Sequence, residues 1–364
     1  MAQAIDGLES VVAAETVLSE VDGEAGRLLI RGRTLEEIAG RWSFEAVTGL
    51  LWDGFFPEIP ETLAPRLGAA RQAVFAEVSA MDDTLAGRTA VEAVRALTAR
   101  LADGDDLDLA LRLVAAPAVF TAAVTRRQAG HAPIAPDPAL GHAADILRMT
   151  RGAAASPAEV AALDAYLVTV CDHGLNASTF AARVVASTRA GLTSAVLAGL
   201  SALKGPLHGG APGPVIEMLD QIGSPANARP WLEGALDRGD RLMGFGHRVY
   251  RVRDPRADAL KRAVAALAGG SSAAPGRLAL AEAVEVAALA VLRERKPGRS
   301  LQTNVELYTA LLLEALAFPP AAFTCVFAMG RAAGWIAHAR EQLAGGRLVR
   351  PQSRYVGPRP HLAA

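Results

Sequence analysis

The sequence predicts an all-α fold with one minor β element near the N-terminus, and three observations carry this. Ala-, Leu- and Arg-rich stretches recur with apolar residues three and four apart, the period of a helix with one buried face. Clusters of Gly, Pro and Asp interrupt these stretches at helix-sized intervals. Only the stretch 27–32, Arg-Leu-Leu-Ile-Arg-Gly, reads as a strand or hairpin. In chain order, helical periodicity runs over 90–101, 108–126, 157–171, 181–203 and 278–295. Breaks fall at 102–106, 132–138, 269–272 and 318–320. There is no solenoid-type repeat and no long low-complexity tract.

Composition bounds the function. A chain of 364 residues suits one large domain or two, and 51% hydrophobic with 21% charged residues can bury a sizeable core. A net charge of −1 gives no broad field for nucleic acid or an anionic membrane. Two cysteines, Cys171 and Cys325, are too few for a disulfide framework or a zinc cluster, and a reducing cytoplasm is the expected location. The N-terminus has no basic stretch leading into an apolar run, so no signal peptide is expected. No window holds eighteen uncharged apolar residues, so no membrane span is expected either.

Three short segments carry the chemistry. Gly205-Pro-Leu-His208-Gly-Gly-Ala211 and Gly244-Phe-Gly-His247-Arg-Val-Tyr250 each set a histidine beside glycines, and the second runs on to Asp254-Pro-Arg256. Asn304-Val-Glu306-Leu-Tyr308 sets a carboxylate in an apolar stretch. Two candidate proton donors and one candidate base form a minimal set for making and trapping an enol. The histidines lie in separate segments and no metal constellation is visible.

With these segments the chain resembles the short bacterial citrate synthases. The likeness extends over Val12-Ala-Ala-Glu15 to Gly26, Asp172-His173-Gly-Leu-Asn176 to Arg183, Leu203 to His208, Gly330-Arg331-Ala-Ala-Gly-Trp335, and Val349-Arg350-Pro351. It implies a large helical domain from residues 1–212 and 319–364, and a small helical domain from 213–318, with the active site in the cleft. It implies condensation of acetyl-CoA with oxaloacetate, giving citrate and CoA. No cofactor is implied, because CoA enters as substrate. His208 would stabilise the enol at the thioester oxygen, His247 would bind and protonate the ketone, and Glu306 would stand at the base. Arg256, Arg331 and Arg350 would hold the carboxylates, which suit bidentate guanidinium groups. His173 and Phe327 would line the same pocket. Met243, Gly244, Phe245, Gly246 and Arg251 would meet CoA, with Lys296 and Arg299 adding charge and Asn304 ordering the site. Arg350 would reach into a neighbouring subunit, so a homodimer or a dimer-based oligomer is expected.

Three positions depart from the family pattern. Glu306 stands where the family has aspartate, Gly174 where it commonly has glutamate, and Pro212 where it commonly has asparagine. The extra methylene of Glu306 moves the base, and a misplacement of about 1 Å costs on the order of 10²-fold in rate. Two other readings therefore stand beside the first. One uses another acyl-CoA, such as propionyl-CoA giving 2-methylcitrate, because a methylene is worth only about 1–3 kcal/mol in a pocket. The other is a weakly active or inactive paralogue that binds CoA thioesters or dicarboxylates.

Overall fold

The structure is a computed structural model that describes residues 6–8, 11–209, 212–268 and 275–358. The first residues of the N-terminus, the break expected at 269–272, and Gly210 and Ala211 beyond His208 lie outside the described residues.

The expected β element is a small antiparallel sheet of β1 (Ser19–Asp22), β2 (Arg27–Ile30) and β3 (Arg33–Thr34), with Ser19 opposite Ile30 and Leu29 opposite Thr34. The helices that follow are α1 (Leu35–Ile38), α2 (Phe44–Trp52), α3 (Ala64–Phe75), α4 (Asp83–Ala86), α5 (Ala90–Thr98), α6 (Leu107–Gln128), α7 (His142–Arg151) and α8 (Pro157–Val170). After them come α9 (Ala177–Ser187), α10 (Leu192–Leu203), α11 (Pro212–Ile222), α12 (Ala228–Asp237), α13 (Pro255–Ala268), α14 (Pro275–Arg295), α15 (Val305–Ala315) and α16 (Phe323–Gly345). Their starts are written in the sequence. Ser156 and Glu159 form a capping box ahead of Pro157, and Asp106, Asn176 and Asn304 accept hydrogen bonds from first-turn amides.

One expected helix is two. The periodic stretch 181–203 breaks between α9 and α10, where Arg189 has φ 63° and Gly191 φ 105°. Asp103 forces the break. Its carboxylate accepts from Ser194 N at 2.9 Å and Ser194 Oγ at 2.7 Å. A Cβ on Gly191 would lie 2.4 Å from Asp103 Oδ1. Apolar spacing continues through the turn because both helices face the same core, so periodicity alone did not reveal it.

The core centres on α16, which packs against α2, α5, α6, α8, α9 and α10. Helix α6 is long and apolar enough to cross a membrane by length and composition, yet 83% of its most apolar window is buried inside the protein. Close approach of α16 to α8 depends on two glycines. A Cβ on Gly330 would meet Val170 Cγ2 at 2.7 Å, and one on Gly334 would meet Cys171 O at 2.2 Å. Arg331 is thereby drawn against the C-terminal end of α8. Helices α11 to α15 pack largely on one another, and α13 also packs on α8.

Two acids, the buried Glu45 and the half-buried Asp164, brace the junction of α2, α7 and α8. Asp164 Oδ1 accepts from Phe44 N at 3.0 Å, and Glu45 Oε1 accepts from His142 N at 2.7 Å. Burial, and then the Glu45 charge, push the Asp164 carboxyl up to about 7. A carboxyl whose pKa rises on folding takes up a proton, so its contribution to stability falls as pH rises from about 4 to about 7. Asp164→Asn keeps the acceptor and removes the charge. It should raise stability by on the order of 2 kcal/mol at pH 8 and by little at pH 4. Thermal unfolding at both pH values checks this, and an equal difference at both would contradict it.

Candidate active site

Two segments form the frame. Residues 244–254 and 300–306 run beside each other and are hydrogen-bonded along their length. Gly246 N donates to Gln302 O at 2.7 Å, Asn304 N to Gly244 O at 3.0 Å, and Asp254 N to Thr303 O at 3.2 Å. Phe245 and Thr303 form an antiparallel bridge. Asn304 ties the pair further, since Nδ2 donates to Gly246 O at 2.9 Å while Oδ1 accepts from Glu306 N at 3.1 Å. Gly246 has φ 82°, and a Cβ there would lie 2.9 Å from Leu301 Cδ2, so this turn requires glycine. His247 and Glu306 thus come from one braced unit.

The tautomer of His247 follows from its partners. Nδ1 accepts from Val249 N and Tyr250 N, each at 3.0 Å, so the proton of the neutral ring sits on Nε2. Arg256 Nη2 lies 3.3 Å from Nε2 and can only donate. Two donors side by side call for a shared acceptor, such as a carbonyl or carboxylate oxygen. Asp254 holds Arg256 in a fork, with Nε to Oδ1 at 3.0 Å and Nη2 to Oδ2 at 2.8 Å. Asp254 also caps α13 by accepting from Arg256 N at 3.0 Å.

Arg331 is the second guanidinium, 1% exposed. Its Nε donates to Val170 O at 2.6 Å, and its guanidinium carbon sits 4.9 Å from the centre of the Phe327 ring. No carboxylate pairs with it among the described residues. Burial, followed by Arg256 among the positive charges and opposed by Asp172, pulls its pKa down to about 10.

His173 Nε2 is 3.2 Å from Tyr250 Oη, and the His173 ring meets the His247 and Tyr250 rings edge-on at 5.6 and 5.5 Å. His208 lies 6.5 Å, centre to centre, from Phe327. Its Nε2 is 2.8 Å from Ser178 Oγ. Trp335 Nε1 donates to the same oxygen at 3.1 Å, and Ser178 Oγ is 2.8 Å from Asn176 Oδ1. The single hydroxyl proton is therefore shared between Asn176 and His208. When it goes to His208, the imidazole proton is fixed on Nδ1. Burial, then Arg331 and Arg256, lower His208 to about 4. Burial, then Arg256, lower His247 to about 4 as well.

Glu306, in the first turn of α15, is half-buried, yet its Oε2 is sealed from solvent and has no hydrogen-bond partner among the described residues. Burial raises its pKa, opposed chiefly by Arg256. A carboxylate that wants a proton, two guanidinium groups and three imidazoles held neutral by burial and by those cations make a pocket for a dianion, with proton-transfer groups beside it.

Most residues singled out from the sequence gather here: His173, His208, His247, Arg256, Glu306, Phe327 and Arg331. Met243, Gly244, Phe245 and Gly246 lead into the site. Arg251 is exposed beside it, its N–H donating to Gly23 O at 2.9 Å. Arg350 does not join. It is exposed on the irregular segment after α16, with no hydrogen bond or ion pair to this cluster among the described residues. Gly174 has φ 58° and donates to Ser19 Oγ at 3.0 Å, so the position that departs from the family pattern is a left-handed turn tied to β1. Pro212 opens α11. No group of three His, Cys, Asp or Glu able to hold a metal occurs among the described residues. Sequence reasoning gave no role to Ser178, Tyr250 or Asp254. The signal for Asp254 was present as an acid just before a proline at a helix start.

A family model described as citrate synthase, C-terminal domain, matches residues 7–352. The chain belongs to the citrate synthase family. It is 40% identical to a protein named putative citrate synthase 2 from Mycobacterium tuberculosis, over 98% of this chain and 94% of that one. It is 36% identical to a 2-methylcitrate synthase of the same species, over 96% and 90%. Its fold superposes with a TM-score of 0.85, at 28% identity and over 98% and 97% of the two chains, on a Thermoplasma acidophilum citrate synthase in ternary complex with carboxymethyl coenzyme A and oxaloacetate.

Both rings with pKa near 4 should be neutral well below the usual histidine range. Imidazole 15N chemical shifts of His208 and His247 are expected to stay those of neutral rings at pH 5.5. Charged rings at that pH would contradict the electrostatics described above.

Proposed function

We propose that the chain condenses acetyl-CoA, or a close acyl-CoA, with oxaloacetate through an enol, releasing CoA. The observation that carries this reading is the buried Arg331 guanidinium, which has no carboxylate in direct contact among the described residues and is set near the paired donors of Arg256 and His247. A buried cation without an anion is costly, and a dicarboxylate supplies the charge. In this reading Arg331 and Arg256 hold the carboxylates, and His247 Nε2–H meets the ketone oxygen as charge develops on it. His208, neutral and braced by Ser178, donates at the thioester oxygen. Glu306 takes the proton from the acyl carbon. Its raised pKa makes it a stronger base than an exposed carboxylate. His173 and Phe327 shape the oxaloacetate pocket.

The CoA end is placed along Met243 to Gly246, with Arg251 at the phosphates. A cavity of about 340 Å³ beside this segment is lined by Arg293, Arg299 and Ser300, which supports binding of an anionic nucleotide there. Lys296 is exposed next to it. The cleft reading places the small domain at 213–318, supported by the mutual packing of α11 to α15. Arg350, exposed and outside its own chain's cluster, supports a dimer in which it completes the partner's site.

The base is the sharpest test. Glu306→Gln should lower thiol release about 10²- to 10⁴-fold while leaving oxaloacetate affinity intact. Glu306→Asp should also lower the rate, by on the order of 10²-fold, because the shorter acid falls short of the acyl carbon. A thiol-release assay with acetyl-CoA and propionyl-CoA reads both variants. Unchanged turnover in both would remove Glu306 from the mechanism.

A further inference from the structure

Tyr166 lies on α8 at 0% exposure, and its hydroxyl has no hydrogen-bond partner among the described residues. A buried hydroxyl left unsatisfied costs about 1–3 kcal/mol, and phenylalanine would fill the same space without that cost. Three facts describe the surroundings of the hydroxyl. Tyr166 and Val170 are one turn apart on the same face of α8, and the Val170 carbonyl accepts the 2.6 Å hydrogen bond from Arg331 Nε. Helix α8 packs against both α16, which carries Arg331, and α13, which carries Arg256. The charges that act on the phenol are Arg331, then Arg256, then Glu306, while burial keeps it protonated. A neutral donor therefore sits in the field of the two guanidinium groups, one of which has no carboxylate partner.

We propose that Tyr166 is a further substrate-binding residue, whose hydroxyl donates a hydrogen bond to the one of the two oxaloacetate carboxylates that Arg331 holds. The proposal rests on the condensation reading above. That carboxylate accepts from Arg331 and the phenol at once, and Arg256 takes the other. A 2-oxo acid that lacks the second carboxylate leaves the phenol and a cation unsatisfied, so Tyr166 adds to selection for the dicarboxylate. Glu306, the least of the three charges acting on the phenol, is not its partner in this arrangement.

Tyr166→Phe removes only the hydroxyl. Calorimetry on the full-length wild type and this variant should show oxaloacetate affinity falling roughly 10-fold or more. In steady-state assays KM for oxaloacetate should rise to match, with kcat within about threefold, KM for the CoA thioester unchanged and the pH–rate profile unshifted. Without ligand, the variant should unfold at a temperature equal to or above that of the wild type. Unchanged oxaloacetate affinity would overturn the proposal. So would a loss of kcat with a shifted acid limb, which would assign the hydroxyl to Glu306, or a lower unfolding temperature, which would reveal an internal partner. Wild-type protein that binds no oxaloacetate overturns the condensation reading along with this one. Wild-type protein that binds and turns over, with affinity unaltered in Tyr166→Phe, overturns this one alone.

Discussion

Arg331, a guanidinium buried with no carboxylate in direct contact among the described residues, is the constraint around which the site is arranged. Burying an unpaired charge is among the costliest acts in folding, and a protein tolerates it where a ligand completes the pair. The position is built with care. Gly330 and Gly334 flank Arg331 and let α16 press against α8, and the Val170 carbonyl fixes Nε at 2.6 Å. The charge then governs its neighbours. Burial first, and then this charge and that of Arg256, hold His173 and His208 below the usual imidazole range, leaving them neutral at physiological pH. Neutral imidazoles can donate a hydrogen bond without adding a third positive charge to the pocket. In the proposed reaction that leaves two cations facing a dianion, and proton transfer to groups that can both hold and release a proton.

A second constraint is mechanical. His247, Arg256 and Glu306 are not positioned separately, because the segments that carry them are hydrogen-bonded into one unit. A further network lies behind it. Glu285 on α14 accepts from Arg253 at 2.5 Å and from Tyr308 Oη at 2.6 Å, joining the segment before Arg256 to the helix that carries Glu306. Motion of this unit relative to α8, α9 and α16 would move the ketone-side donor and the base together, and would separate both from His208 and Arg331. Opening and closing of a cleft at that seam is therefore compatible with keeping the base aligned to the ketone.

Much of this was legible in the sequence, for physical reasons. The helical class follows from apolar periodicity, and the three short segments stand out because histidines beside glycines, and an acid in an apolar stretch, are poor choices for structure alone. The break at Arg189–Gly191 was hidden, since periodicity reports the buried face and is blind to a turn that keeps the same face inward. Ser178 and Tyr166 were hidden for a different reason. Ser178 acts through a contact with a residue 30 positions away, and the surroundings of Tyr166 come from helices far along the chain that pack on α8. The departures at Glu306 and Gly174 were visible as letters. That Gly174 is a left-handed turn bonded to β1, and that Glu306 keeps one oxygen sealed and unpartnered, took three dimensions to see.

Arg331, together with the Asp254-bound Arg256, is set to receive a dianion. Isothermal titration of the full-length protein at pH 7, with oxaloacetate and with pyruvate in parallel, tests it most directly. The two ligands share the 2-oxo acid and differ in the second carboxylate. Oxaloacetate should bind at least about 10²-fold more tightly than pyruvate, because losing the partner of a desolvated charge typically costs about 2–5 kcal/mol. Equal affinity for the two, or no binding of oxaloacetate, would contradict it.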